Sequence, residues 1–221
     1  MLKDNIFLER ELESARIEAA LKNDFNLLDA FKIFDSRGTG NISVQDVINS
    51  LRDILGFTQF THDDVYLLFR RHDKNQDGKL NFTEFSNLIL PISKEYAALL
   101  TDRPDFYMSR QIPITQFFNA DTRSQFRNLW ASLFKCERAC EVLRTSLRQR
   151  PYFNLKQAFA FMDMSNSGNL SSIELRDFLA NNGFFATERE LQGLIQKCDK
   201  TGDGRISFNE FVDEFSPKLG F

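Results

Sequence analysis

One pattern recurs four times along the 221 residues and limits the fold more than any other feature. An apolar helical period ends in an aspartate. A glycine follows five residues later, an apolar residue two after that, and an acid eleven residues after the aspartate. The four aspartates are Asp35, Asp73, Asp163 and Asp199. They stand 38 residues apart in the first pair, 36 in the second, and 90 between the pairs. A unit of this length cannot bury its apolar face alone, so neighbouring copies must stack. The chain therefore reads as two pairs of units with an added stretch between them.

The flanks of each loop carry a helical period. Leu27, Leu28, Phe31 and Phe34 precede the first loop, and Val65, Leu68 and Phe69 the second. Leu155, Phe159 and Met162 precede the third, and Leu191, Leu194 and Ile195 the fourth. Thr61 with Asp64, Asn154, and Thr187 with Glu190 supply N-terminal caps, and Asn181-Asn182-Gly183 supplies a stop. Amphipathic stretches follow the last three loops: Phe82/Phe85/Leu88, Ile173/Phe178/Leu179 and Phe208/Phe211/Phe215.

The loops are graded in their chemistry. The second offers oxygens from Asp73, Asn75, Asp77, the Lys79 carbonyl, Asn81 and Glu84, with Gly78 at the sharp turn. A hard cation such as Ca²⁺ takes six to eight oxygens, and this spacing supplies them from one turn. The fourth keeps Asp199, Thr201, Asp203, the Arg205 carbonyl and Glu210 around Gly204, so three carboxylates remain. The third keeps Asp163 and Glu174, but Ser165, Ser167 and Asn169 are neutral, so its pull on a cation is weaker. In the first loop Arg37 stands where a ligand belongs, Thr39 replaces an acid, and Asp46 is one methylene shorter than glutamate. A guanidinium has no acceptor atom, so the loop at Asp35, Arg37, Thr39 and Asp46 is expected to persist for its fold and not to bind metal.

The second loop matches D-x-[DN]-x-[DN]-G-x₅-E in full, and the chain resembles the EF-hand superfamily, as a calmodulin-like protein of four hands with an inter-lobe insertion. The resemblance implies an all-α fold of two EF-hand pair lobes joined by a long, partly helical spacer. It implies short antiparallel bridges of Ile42 with Leu80 and of Leu170 with Ile206. It also implies Ca²⁺ as cofactor, at the second and fourth loops, with the third as a weaker site. The two-lobe layout is similar to the 25 kDa calcium-binding proteins of ciliates, which implies a ciliary, axonemal or cortical setting.

The resulting division is an N-terminal helical extension (1–23), an EF-hand pair (24–91), a spacer (92–150) and a second pair (151–221). In the extension, residues 5–22 put Leu8, Leu12, Ala15 and Ala19 on one face and Glu9, Glu11, Glu13 and Arg16 among the polar positions. The spacer begins with a short helix, Lys94–Leu100, and irregular chain. A longer helix then runs from Asp121 or Thr122 to about Gln149, stopped by Pro151. Leu129, Leu133, Cys136, Cys140, Leu143 and Leu147 form a heptad seam, widened by Phe126, Trp130 and Phe134. On its other side Arg123, Arg127, Lys135, Arg138, Arg144, Arg148 and Arg150 outnumber Glu137 and Glu141. Three readings stay open for this helix. It extends the core, it fills a lobe groove as an internal ligand, or it binds another protein or an anionic membrane through Phe126, Trp130, Leu133 and Phe134.

A formal charge of −3 argues against nucleic acid as a partner. No apolar run approaches the ~20 residues of a transmembrane segment, and the start of the chain shows no secretory signal. Three cysteines, with Cys136 and Cys140 one helical turn apart, suggest no disulfide framework and an intracellular, cytoplasmic or cytoskeletal setting. Two histidines, His62 and His72, give no catalytic dyad, so no enzyme is expected. None of Met1, Met108, Met162 and Met164 lies in an exiting helix, where phenylalanine stands instead. Stiff aromatic grooves suit one dedicated protein partner, held by helix-in-groove contact, better than many partners. The expected function is a regulatory or adaptor protein that binds Ca²⁺. The alternatives are a structural component of a cytoskeletal assembly and a Ca²⁺ buffer.

Overall fold

The computed structural model describes residues 1–105 and 112–220; Met108 lies outside the described residues. The first hand pair runs α2 (Leu27–Phe34), β1 (Asn41–Ser43), α3 (Val44–Asn49), α4 (His62–His72), β2 (Lys79–Asn81) and α5 (Phe82–Ile89). The second runs α8 (Leu155–Met162), β3 (Asn169–Leu170), α9 (Ser172–Asn181), α10 (Glu188–Cys198), β4 (Ile206–Ser207) and α11 (Phe208–Phe215). Outside the pairs lie α1 (Leu2–Ala20), α6 (Lys94–Thr101) and α7 (Ala120–Arg148). The fold is all-α, and among the described residues its strands form two short antiparallel ladders that pair Ile42 with Leu80 and Leu170 with Ile206.

Local chemistry sets the boundaries. Asn26, Thr61, Asn154 and Thr187 each accept a backbone N–H of the first helical turn, as N-caps should. Asn182 and Gly183, the latter at φ +74°, end α9. α3 passes into a π-helical turn, Ser50–Ile54, where the Ser50 hydroxyl donates to the Ile33 carbonyl at 2.9 Å and Gly56 at φ +63° follows. α7 runs uninterrupted because Ala120–Arg148 contains neither glycine nor proline.

The chain forms two compact units. One is Glu11–Arg138, and the other combines Met1–Arg10 with Ala139–Phe221. In the first, an aromatic core joins Phe34 to Trp130 (centroids 4.9 Å apart), Phe25 to Phe126 (5.1 Å) and Phe60 to Phe134 (5.4 Å). Each such pair contributes about 0.5–1.5 kcal/mol beyond area burial. In the second unit the core gathers Phe159, Leu175, Leu191, Leu194, Phe211 and Phe215 of the four hand helices.

Several expectations need correction. Phe126, Trp130, Leu133 and Phe134, the partner-contact candidates, are at most 1% exposed and lie in the interior of the first unit. Glu13 and Arg16 are buried, because Glu13 accepts the N–H groups of Ile92 and Ser93 and Arg16 donates to the Leu88 carbonyl. On α7, Glu137 is buried in an ion pair with Arg71 of α4, and Glu141 and Arg144 are buried in a pair with each other, Arg144 also pairing with Glu214 of α11. Ile173, placed with Phe178 and Leu179 on the apolar side of an amphipathic stretch, is exposed.

Candidate metal centre

The second, third and fourth loops are closed from both ends by their own carboxylates, and the first from its start. At the start, one oxygen of Asp35, Asp73, Asp163 and Asp199 accepts the N–H of Gly40, Gly78, Gly168 and Gly204, at 2.8 Å in all four. These glycines sit at φ +76° to +78°, a region that other residues enter only with strain, so the turn that presents the N–H depends on glycine.

At the far end the acid also serves as third residue of the exiting helix and completes a capping box. Glu84 accepts the Asn81 N–H with Oε2 at 3.0 Å and the Lys74 N–H with Oε1 at 2.9 Å. Glu210 does the same with Ser207 (2.9 Å) and with Lys200 and Thr201 (2.9 and 3.0 Å). Glu174 bridges Ser171 (2.9 Å) and Ser165 (3.2 Å). One carboxylate thus ties the loop entrance to the first turn of the exiting helix. Asp46 is too short for this. It holds the cap bonds to Ser43, and its Oδ1 stands 3.9 Å from the Arg37 guanidinium.

Electrostatics favour the ionised form of Glu210, Glu174 and Asp35. Burial raises Glu210, but hydrogen bonds from Ser207, Thr201 and Lys200 outweigh it and bring the pKa down to about 2. Burial likewise raises Glu174, and the bonds from Ser171 and Ser165 bring it to about 2. Asp35 is lowered in the same manner, burial being overcome by Thr39 and Gly40.

The remaining predicted ligands lie within their loops. Asn75 Oδ1 accepts the Asp77 N–H at 3.0 Å, and Asp77 Oδ1 accepts that of Lys79 at 2.8 Å. The Thr201 hydroxyl lies 3.2 Å from both Asp199 Oδ1 and Glu210 Oε1, and Asp203 Oδ1 accepts the Arg205 N–H at 2.9 Å. The Ser165 hydroxyl donates to Glu174 at 2.8 Å, and that of Ser167 to the Asn169 carbonyl at 2.9 Å. The Thr39 hydroxyl donates to the Asn41 carbonyl at 2.9 Å. Among the described residues no three His, Cys, Asp or Glu side chains form a metal cluster by themselves, so a cation here needs the amide, hydroxyl and carbonyl oxygens too. That donor set is all hard oxygen, drawn from carboxylates, amides, hydroxyls and main-chain carbonyls. It fits a cation of the Ca²⁺ type.

The sequence did not reveal the contacts that link the first hand pair to α7. Arg71, two residues before Asp73, pairs with Glu137 at 2.5 Å. Asp64, the capping acid of α4, pairs with Arg138 at 2.8 Å. Arg127 donates to the Leu55 carbonyl at 3.0 Å. In the other unit Arg144 donates to the Glu214 carbonyl at 2.7 Å and to its carboxylate at 2.9 Å, at the end of α11. The charge pattern of α7 carried the residue types but not their partners.

Paired helix-loop-helix units with oxygen-lined loops define the class. A family model of the EF-hand domain pair matches residues 24–90 and again 152–216, more than half of the chain, and the protein belongs to the EF-hand family. It is 28% identical over 185 residues to the probable calcium-binding protein CML11 of Oryza sativa subsp. japonica, covering 84% of this chain and 63% of that protein. It is 29% identical over 174 residues to the probable calcium-binding protein CML17 of Arabidopsis thaliana, covering 76% and 86%. A 65-residue stretch is 37% identical to calcium-binding protein 7 of Homo sapiens, covering 29% and 30%. The chain thus spans less than two thirds of the first of these relatives. Among the described residues no helix is long and apolar enough to cross a membrane.

Proposed function

We propose that this protein is a Ca²⁺-binding regulator that engages a dedicated protein partner. The second and fourth loops take one ion each, the third takes one more weakly, and the first takes none. A bound Ca²⁺ supplies the double positive charge that offsets the clustered carboxylates. The observation that carries the reading is the double attachment of Glu84 and Glu210, each holding a loop entrance and the first turn of an exiting helix. Any redistribution of charge at these carboxylates is therefore felt by α5 and α11. In the first unit, Arg71 lies two residues before Asp73 and carries the same change to Glu137 on α7. α7 acts there as an internal ligand of the hand pair.

One observation favours a constitutive structural role instead. The aromatic stripe of α7 is interior to its unit, as a permanently packed helix would be. A Ca²⁺ titration followed by Trp130 emission and by an apolar dye separates the two. A regulator takes up dye on adding Ca²⁺ and loses the response in Glu84→Gln/Glu210→Gln. Ca²⁺ uptake with no change in dye or emission gives the structural reading.

A further inference from the structure

Residues Met1–Arg10 belong to the same compact unit as the second hand pair. Ile6 is 1% exposed and is part of the hydrophobic cluster made by α8–α11, against which Met1 and Leu2 also pack. Leu2 and Ile6 are four residues apart, on one face of the helix. Charge fixes the register. Glu9 pairs with Lys197 at 2.5 Å, where the lysine side chain is only 2% exposed, and Arg10 pairs with Glu190. Lys197 lies in the last turn of α10 and Glu190 in its first, so the segment is matched along the whole of that helix. Phe7 meets Phe184 edge-on at 5.7 Å beside them.

We infer that this face of the second hand pair is the docking site of the partner, and that Met1–Arg10 is its built-in competitor. The partner is an amphipathic helix with two aliphatic anchors four residues apart, then an acid and a base three and four residues after the second anchor. The anchors take the places of Leu2 and Ile6, and the charged pair meets Lys197 and Glu190. The inference deepens the proposed function and rests on its claim that a protein partner is bound. A tethered segment competes at an effective concentration of roughly millimolar. An outside helix of similar intrinsic affinity therefore binds weakly until the segment leaves, since apparent affinity scales with the fraction of open sites.

The test uses the full chain and a fluorescein-labelled synthetic peptide with the sequence of residues 1–12, with and without Ca²⁺, and calorimetry of Ca²⁺ on the same samples. Ile6→Asp is expected to bind the peptide at least tenfold more tightly than the unaltered chain. Because Ile6→Asp can also disturb the core, a second variant, Phe7→Cys/Phe184→Cys bridged by a short bismaleimide, holds the segment down and is expected to bind at least tenfold more weakly than before bridging. Equal affinity before and after bridging, or equal affinity of Ile6→Asp and the unaltered chain, overturns the inference. So does sedimentation showing that Ile6→Asp pairs with a second copy in place of the peptide. Peptide binding that fails while Ca²⁺ uptake persists sinks only this inference, whereas absent Ca²⁺ uptake sinks the function proposed above.

Discussion

Arg71 Nε lies 2.5 Å from Glu137 Oε1, and the two side chains are 12% and 5% exposed. A buried pair of this kind does little for net stability when compared with an apolar pair, but removing one member leaves an uncompensated charge inside the protein. Glu137→Ala is expected to lower the unfolding free energy by about 3–5 kcal/mol, read by urea denaturation. Arg71→Met/Glu137→Leu is expected to recover most of that loss. A double variant as unstable as the single one would show that the pair is not the cause.

The first loop differs from the second at several ligand positions, among them Arg37 for Asn75 in mid-loop and Asp46 for Glu84 at its end. Arg37 stands 3.9 Å from Asp46, and Asp46 makes only the bonds that cap α3. Arg37→Asp/Asp46→Glu restores an acid in mid-loop and the longer arm at its end. Native mass spectrometry in millimolar Ca²⁺ is expected to show one more bound ion than in the unaltered chain. An unchanged count would mean that some other feature disables the loop.

Asp213 sits between Lys200 and Lys218, each 2.7 Å away. Burial raises its carboxyl, and the two lysines outweigh burial and bring the pKa from 3.8 to about 2. A carboxyl lower in the folded than in the unfolded chain stabilises the fold above the unfolded value and loses that contribution as the pH falls through the folded one. The stabilisation is complete above about pH 4 and fades toward pH 2. Glu174 and Glu210, also at about 2, act with the same sign. Unfolding free energies measured from pH 5 to pH 2 are expected to fall less steeply in Asp213→Asn than in the unaltered chain.

Trp130 is the single tryptophan and is 1% exposed, packed on Phe34 at 4.9 Å. Its emission in Ca²⁺-free solution is expected at the short wavelengths of a buried indole, and Trp130→Ala is expected to cost about 3–5 kcal/mol. Emission typical of a water-exposed indole would contradict the packing of α7 in the first unit.

Much of the fold is local and could be read from single residues. Thr61 with Asp64, Thr187 with Glu190, and Asn154 cap helices where the chain places them, because a cap needs only neighbours two or three residues away. The ladder partners Ile42 and Leu80 followed from the family resemblance, since nothing in one strand of three residues names its mate. Tertiary charge pairing was not legible. Glu13, Glu137 and Arg144 have the composition of a solvated face, and only the packed structure shows the N–H groups and ions that allow their burial. The loop acids were legible by spacing. Their backbone N–H partners, which tie each loop to its exiting helix, were not.

The account stands on cation uptake by Glu84 and Glu210. Isothermal calorimetry of Ca²⁺ binding tests it most directly, comparing the full chain with Glu84→Gln/Glu210→Gln. The account predicts two strong sites and one weaker site in the unaltered chain, with both strong sites lost in the double variant. Heat and stoichiometry unchanged by the two substitutions, or no uptake by the unaltered chain at millimolar Ca²⁺, would contradict it.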